Sequence, residues 1–208
     1  MSLVELIAQA DDRALAAGGL ACLDRCVPLL GGDDEVLRPL WTSLADGAEG
    51  ETWGECLEQA RAKLPALFEE AGEEAGGEAG QEAGEDRSVR LARQMLATAP
   101  AVPAGTPVRE WADACSVASL RIHRFLEVMV PAGGADDDVD ARREGRTEGM
   151  SPLVAAELRR QITVLELLAG TGNGTGPAVG GLRQVLAVST EGRRVLRAVV
   201  SRRARGRS

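Results

Sequence analysis

The sequence is poor in aromatic residues, with three Trp, two Phe and no Tyr among 208 residues. Strands favour aromatic and β-branched side chains, whereas this chain is rich in Ala, Gly and short aliphatic residues. The composition therefore favours helices that pack through small side chains. Apolar residues make up 44% of the chain, which is enough to build a core, so we expect a folded protein.

Side chains that commonly carry catalysis are also scarce. His123 is the single histidine, and Lys63 is the single lysine. The chain therefore has few of the residues that catalysis by a histidine pair, a Ser-His-Asp triad or a lysine Schiff base requires. We expect a non-catalytic chain without a cofactor or a bound metal. His123 follows the apolar Ile122 on the polar flank of a predicted helix, and we expect it to face solvent.

The four cysteines are unevenly spaced and do not form a disulfide framework, so free thiols are expected. Cys22 and Cys26 lie one helical turn apart, and Cys56, Cys115 and His123 could complete a tetrahedral zinc site. Free Cys is among the most buried residue types, and these cysteines have apolar neighbours. We expect thiols that pack in the core, and the zinc site is the alternative that the spacing leaves open.

Long apolar runs are missing. No run approaches the about 18 residues that a membrane-spanning helix needs. The first residues also lack the apolar region of a signal peptide, because Asp11 and Asp12 stand where that region would be. We expect a cytoplasmic protein without a membrane span.

Helix start signals recur along the chain. Each has a Ser or Thr cap followed by Glu three positions on or by Pro at the next position: Ser2, Thr52, Thr106 and Ser151. Apolar stripes at helical spacing follow these signals. The sequence predicts an all-α protein of about eight amphipathic helices, with a possible break in the last helix from Ser189 to Gly192. Their predicted ranges are 3–17, 20–30, 34–46, 53–68, 87–99, 107–130, 152–169 and 178–201.

The clearest apolar stripe belongs to the predicted helix 107–130. Its members alternate three and four positions apart: Val108, Trp111, Cys115, Ala118, Ile122, Phe125 and Met129. Charged residues fall outside this stripe, as in a helix with one buried face. We expect this helix to be the central packing element.

Three segments interrupt the helical pattern. Residues 69–86 repeat Glu-Ala-Gly and carry eight acids, with no base and no large apolar side chain. Such a tract cannot bury enough surface to offset its ordering entropy, so it is predicted to be disordered. Residues 131–149 and 170–177 are predicted to be a long loop and a flexible connector.

The acidic tract suggests a division of the chain. We predict an N-terminal bundle at 1–68, an acidic linker at 69–86, a C-terminal bundle at 87–201 and a basic tail at 202–208. A single bundle, with the acidic tract as an excursion from it, is the alternative. The sequence does not decide between one bundle and two.

Two acidic motifs allow a metal-dependent enzyme as an alternative. Asp136, Asp137 and Asp140 form a D-D-x-x-D pattern that resembles the magnesium-diphosphate motif of isoprenoid synthases, which are also all-α. The resemblance covers five residues of a Gly-rich segment, and the sequence contains no second metal-binding motif of this kind. E-E-x-x-E spacings within 69–86 resemble those of all-helical nucleotide pyrophosphohydrolases, but frequent glycine prevents a rigid cage.

Charge is distributed unevenly. Residues 1–150 carry 14 basic and 29 acidic groups, whereas residues 151–208 carry 10 basic and 3 acidic groups. The basic excess is concentrated in seven arginines: Arg193, Arg194, Arg197, Arg202, Arg203, Arg205 and Arg207. The first five are the candidate partner-binding residues. A solvated tail that only complements the helix dipole is the structural alternative.

These observations favour a cytoplasmic, non-catalytic helical protein that acts through protein–protein interaction, as a partner, adaptor or regulatory module, or by self-association. A nucleic-acid-associated protein that uses the Arg-rich C-terminus is one alternative, although no aromatic residues that could stack on bases are interleaved with the arginines. A small metal-dependent enzyme that uses residues 136–140 is the other.

Overall fold

The computed structural model describes residues 1–33, 35–46, 50–64, 81–127, 138–170 and 178–205. Within these ranges it contains nine α-helices, one short 3-10 helix at Val27–Leu30 and no strand. The predicted all-α fold is confirmed. The helices are α1 (Leu3–Gln9), α2 (Asp12–Cys26), α3 (Arg38–Ala45), α4 (Gly50–Lys63), α5 (Gln81–Ala97), α6 (Gly105–Phe125), α7 (Asp138–Arg143), α8 (Pro152–Ala169) and α9 (Ala178–Arg205).

Two of the predicted helix starts are confirmed and two are wrong. Ser2 forms a full capping box with Glu5, and the Ser151 hydroxyl accepts from the Val154 backbone N–H. In contrast, α6 begins at Gly105 without a side-chain cap, and α4 begins at Gly50, so Thr106 and Thr52 lie inside helices. The signals still mark the right regions, because Ser, Thr and Pro are favoured near the start of a helix. They do not determine which residue forms the cap.

Several predicted boundaries differ from the structure. The predicted helix 3–17 is two helices, because the Asp11 side chain accepts from the Ala14 N–H at 2.7 Å and starts α2 there. Residues 81–86 of the acidic tract form the start of α5, and residues 69–80 lie outside the described residues. The predicted loop 131–149 contains α7, while 171–177 is not described.

The helix α9 is continuous. It runs from Ala178 to Arg205, so the predicted break from Ser189 to Gly192 is wrong, and the first four residues of the predicted basic tail are helical. Ser189 is buried, and Gly192 lies against the Arg25 side chain of α2. Tertiary packing therefore holds the helix together where local propensity is weak.

Within the part of the chain that the structure describes, one cluster of buried apolar side chains forms the core. Helix α2 lies at its centre and packs against α6, α8 and α9. The pair α2 and α6 approaches closely at Gly19, where a Cβ atom would lie 2.6 Å from the Trp111 ring. Helices from both sides of the acidic tract contribute side chains to this cluster.

Helices α5 and α6 run antiparallel. The Arg87 guanidinium, near the start of α5, lies 6.0 Å from the ring centre of Phe125 at the end of α6. At the opposite end, the Trp111 indole N–H donates to the Met95 carbonyl at 2.8 Å.

Among the described residues, no helix is both long and apolar enough to cross a membrane.

Candidate functional site

The interior contains a buried ion pair between α2 and α8. Arg25 Nε donates to Glu157 Oε2 at 2.9 Å, and Arg25 Nη2 donates to Glu157 Oε1 at 2.6 Å. Both side chains are fully buried. Burial alone would raise the pKa of Glu157, but the charge of Arg25 and the hydrogen bonds from Arg25 and Gln161 act together in the opposite direction, and the pKa is lowered to about 2. The carboxylate is therefore held in its charged form.

Two neutral side chains donate further hydrogen bonds to this carboxylate, and a third orients one of them. The Ser119 hydroxyl and the Gln161 amide donate to Glu157 Oε1 at 2.8 and 3.0 Å. The Ser116 hydroxyl donates to Gln161 Oε1 at 2.7 Å, which fixes the amide orientation. Helices α2, α6 and α8 are joined by these bonds. We call Arg25, Ser116, Ser119, Glu157 and Gln161, with His123, the polar network.

His123 is buried, so the expectation of a solvent-facing histidine is wrong. Its Nδ1 lies 2.8 Å from the Ser119 carbonyl oxygen, and because a carbonyl only accepts, Nδ1 carries the proton. Its Nε2 lies 3.5 Å from Glu157 Oε2. Burial lowers the pKa of His123, although Glu157 acts in the opposite direction. The ring is therefore neutral near physiological pH.

The cysteines predicted to pack in the core do so, except Cys56, which is partly exposed on α4. Cys22 accepts from Arg25 Nη2 at 3.4 Å, yet burial raises the pKa of its thiol to about 12. Burial also raises the pKa of Cys26 and Cys115. These thiols are protonated and are poor nucleophiles or metal ligands in that form. Within the described ranges, no group of three His, Cys, Asp or Glu residues could hold a metal ion.

The polar network has little room for a substrate. The cavity beside it has a volume of about 20 Å³ and is lined in part by Cys22, Arg25, Ser116 and Gln161. That volume accommodates about one water molecule and no organic group. The network therefore fits a structural role, in which it joins three helices at a defined register.

The five candidate arginines divide into two groups. Arg193 is buried and donates to Asp24 of α2 at 2.8 Å, while Arg203 is half-buried and donates to the Phe125 and Glu127 carbonyls at 3.0 and 3.3 Å. Arg194, Arg197 and Arg202 are exposed. The structure thus places two members of the cluster against other helices and three on the surface of α9.

The acidic candidates are only partly described. Asp136 and Asp137 lie outside the described residues, as do residues 69–80. Asp138 begins α7, and Asp140 is exposed and lies 3.4 Å from Arg143. Arg143 itself is buried and also donates to Asp113 of α6, so Asp140 belongs to a contact between α7 and α6.

A groove of about 600 Å³ between α5 and α6 was not anticipated from the sequence. Its floor consists of Met95, Trp111, Cys115 and Ala118, all of them buried. Its walls consist of Leu91, Pro107, Ala114 and Val117. Gln94, Thr98, Glu110 and Arg121 stand at its rim. The sequence signal was the apolar stripe of α6, which is wide enough to face both the core and this groove.

No family model, no curated protein and no solved structure matches the chain. What it does is therefore inferred from its own residues.

Proposed function

We propose that the chain is a cytoplasmic, non-catalytic helical protein that acts by binding another protein. The binding surface is the exposed basic face of α9, formed by Arg194, Arg197, Arg202 and Arg205. At about 100° per residue, these four side chains fall within about 140° of the helix circumference. They extend along about 16 Å of the helix axis. We call this surface the α9 face.

The observation that carries the proposal is the way α9 is held. Arg193 is bonded to Asp24 inside the core, and Arg203 binds carbonyl oxygens at the end of α6. The exposed arginines of the α9 face lie between and beyond these two anchors, and Arg194 also lies 3.9 Å from the exposed Glu191. A helix anchored at two positions therefore presents the α9 face at a smaller ordering cost than a flexible basic tail would carry on binding.

An acidic protein segment is the partner that this surface favours. Four arginines on one arc provide complementary charge and can pair with carboxylates in a bidentate geometry. Nucleic-acid binding has less support, because no aromatic residue is interleaved for base stacking and the chain as a whole carries a net charge of -8.

Site-specific photo-crosslinking in the cells that make the protein tests the proposal. Ala198 is exposed between Arg194 and Arg202, and Ala8 is an exposed alanine on α1. A photoreactive residue at position 198 should yield a discrete adduct with an acidic protein, and the same residue at position 8 should not. Increasing salt before irradiation should reduce the adduct, because the contact is electrostatic.

The matched variants reverse three charges at different places. Arg194→Glu with Arg197→Glu and Arg202→Glu should abolish the adduct. Reversal of the exposed Arg38, Arg90 and Arg146, which changes the net charge equally, should leave it intact. A nuclease-sensitive adduct would favour the nucleic-acid alternative, and equal loss in both triple variants would contradict a role for the α9 face.

A further inference from the structure

We propose that the groove between α5 and α6 binds an amphipathic helix of a partner protein, oriented antiparallel to α6. This site is separate from the α9 face, so either proposal can be wrong while the other is correct. From Pro107 to Arg121 the groove follows about 21 Å of α6, or about four helical turns. That length suits apolar anchors at i, i+3 or i+4, and i+7 of an inserted helix.

The floor of the groove is preformed in the free protein. The Trp111 indole N–H donates to the Met95 carbonyl, and the Trp53 indole N–H donates to the Pro100 carbonyl, each at 2.8 Å. The two indole rings pack edge to face with centres 6.2 Å apart. Because these bonds fix the aromatic floor, an occupant gains apolar contact without reorganising the protein.

The walls leave space for large side chains. Ala114 is exposed and Val117 is half-buried, and both are too small to fill the groove from α6 itself. Leu91 and Pro107 add apolar surface to the lining of the groove. Leucine, methionine or phenylalanine side chains on the occupant would fill this volume, as knobs fill holes between packed helices.

The rim determines the direction of the occupant. The exposed Glu110 stands toward the start of α6, and Arg121 stands toward its end. A base on the occupant therefore faces Glu110. Helices favour bases in the last turn, so the last turn of the occupant lies near Glu110, at the start of α6. This places the occupant antiparallel to α6.

A partner protein explains the groove better than a second copy of this chain. In an antiparallel copy, the opposing α6 would match Glu110 with Arg121, but it would present Ala114 and Val117 at the centre. Because the groove is itself lined by small side chains, these small side chains would leave part of its volume unfilled. The two copies would then lose van der Waals contacts that stabilise helix association. The occupant therefore carries larger anchors than α6 does.

Binding of two model peptides to the full chain tests this site. Both are alanine-based helices with leucines at i, i+4 and i+7 and Glu in the first turn, and they differ in having Lys or Glu at the position that faces Glu110. The readout is tryptophan fluorescence, because Trp111 forms the floor. The Lys peptide should bind about two- to fivefold more tightly, the range of an exposed ion pair.

Three variants make the result specific. Ala114→Arg should abolish binding by filling the groove, and Ala187→Arg, at an exposed position of α9, should leave it unchanged. Glu110→Lys should invert the preference so that the Glu peptide binds more tightly. Equal binding by Ala114→Arg, or no saturable binding of either peptide at millimolar concentration, overturns the site.

Two further outcomes would also overturn the proposal. If Glu110→Lys leaves the peptide preference unchanged, the stated orientation is wrong. If sedimentation shows a dimer that Ala114→Arg dissociates, the occupant is a second copy instead of a partner. Reversal of the α9 face should leave peptide binding intact, which separates this site from the proposed function.

Discussion

Glu157 is the acceptor around which the buried polar side chains are arranged. It receives hydrogen bonds from Arg25, Ser119 and Gln161, and its removal would leave the Arg25 charge uncompensated in the core. We expect Glu157→Leu to lower the free energy of unfolding by about 3–5 kcal/mol, as for other buried pairs that lose one partner. Urea denaturation followed by circular dichroism measures the loss.

The control for this prediction removes both charges. Arg25→Met with Glu157→Leu should recover a large part of the lost stability, because no isolated charge stays buried. Glu35, which pairs with Arg38 on the surface at 63% side-chain exposure, provides the exposed comparison. Glu35→Ala should change the free energy of unfolding by less than about 0.5 kcal/mol. A similar loss for Glu35→Ala and Glu157→Leu would show that burial does not determine the effect.

The stability of the fold should depend on pH through His123. Burial lowers its pKa in the folded state below the ordinary value of 6.5, despite the opposing effect of Glu157, so the unfolded chain binds the proton more readily. The contribution is fully present above the unfolded pKa and decreases as pH falls through it. We expect a loss of up to about 1.4 kcal/mol per pH unit below about pH 6.5.

Urea titrations at several pH values between about 7.5 and 5.5 measure this slope. His123→Asn keeps a donor that can reach the Ser119 carbonyl, but it does not titrate. This variant should show a flatter dependence, since His123 is the single histidine of the chain. An equally steep decrease in His123→Asn would assign the effect to other groups.

The sequence predicted part of this interior and missed the rest for a physical reason. The α6 stripe predicted the burial of Val108, Trp111 and Cys115, because helical periodicity depends only on local spacing. The prediction for His123 was wrong, because its ring packs inside beside Glu157, which lies on another helix and more than thirty positions away. Pairing of polar side chains across helices has no signal in a single sequence.

At the scale of the helix, α9 shows how packing overrides local propensity. A Cβ atom on Gly192 would lie 2.3 Å from Arg25 Cδ and 3.1 Å from Arg160 Cδ. Arg25 cannot move aside easily, because Glu157 holds its guanidinium. We expect Gly192→Ala to lower the free energy of unfolding by about 1–3 kcal/mol, although alanine favours helix formation.

The matched comparison uses another glycine of α9. A Cβ atom on Gly180 would meet nothing within 4 Å, so Gly180→Ala tests helix propensity alone. This variant should be neutral or slightly stabilised in thermal unfolding. If Gly192→Ala were stabilised to the same extent, the close approach of α9 and α2 would not exist in solution.

The arginine cluster shows the same limit of sequence reasoning. Its residues are neighbours along the chain, which suggested one basic surface, but a helix turns by about 100° at each position. Arg193 consequently faces Asp24 in the interior while Arg194 faces solvent. Assigning each arginine to a face required the orientation of α9, which the core determines.

At the scale of the whole molecule, helix packing and ion pairs join the two parts of the chain on either side of the acidic tract, so we expect each part to need the other for folding. Helix α2 belongs to the first part, whereas α6, α8 and α9 belong to the second. The ion pairs of Arg25 with Glu157 and of Asp24 with Arg193 both join the two parts. Either part alone would keep buried charges without their partners, which costs several kcal/mol per ion.

Cleavage between the two parts tests this dependence. A protease site placed within residues 69–80 and cut after folding should yield two pieces that copurify and separate only in denaturant. Expressed alone, residues 1–68 and residues 69–208 should each lack a cooperative thermal transition, because each exposes apolar surface that the other normally covers. Two independent cooperative transitions would instead establish separate bundles, since each part would then bury its own core without the α2 contacts.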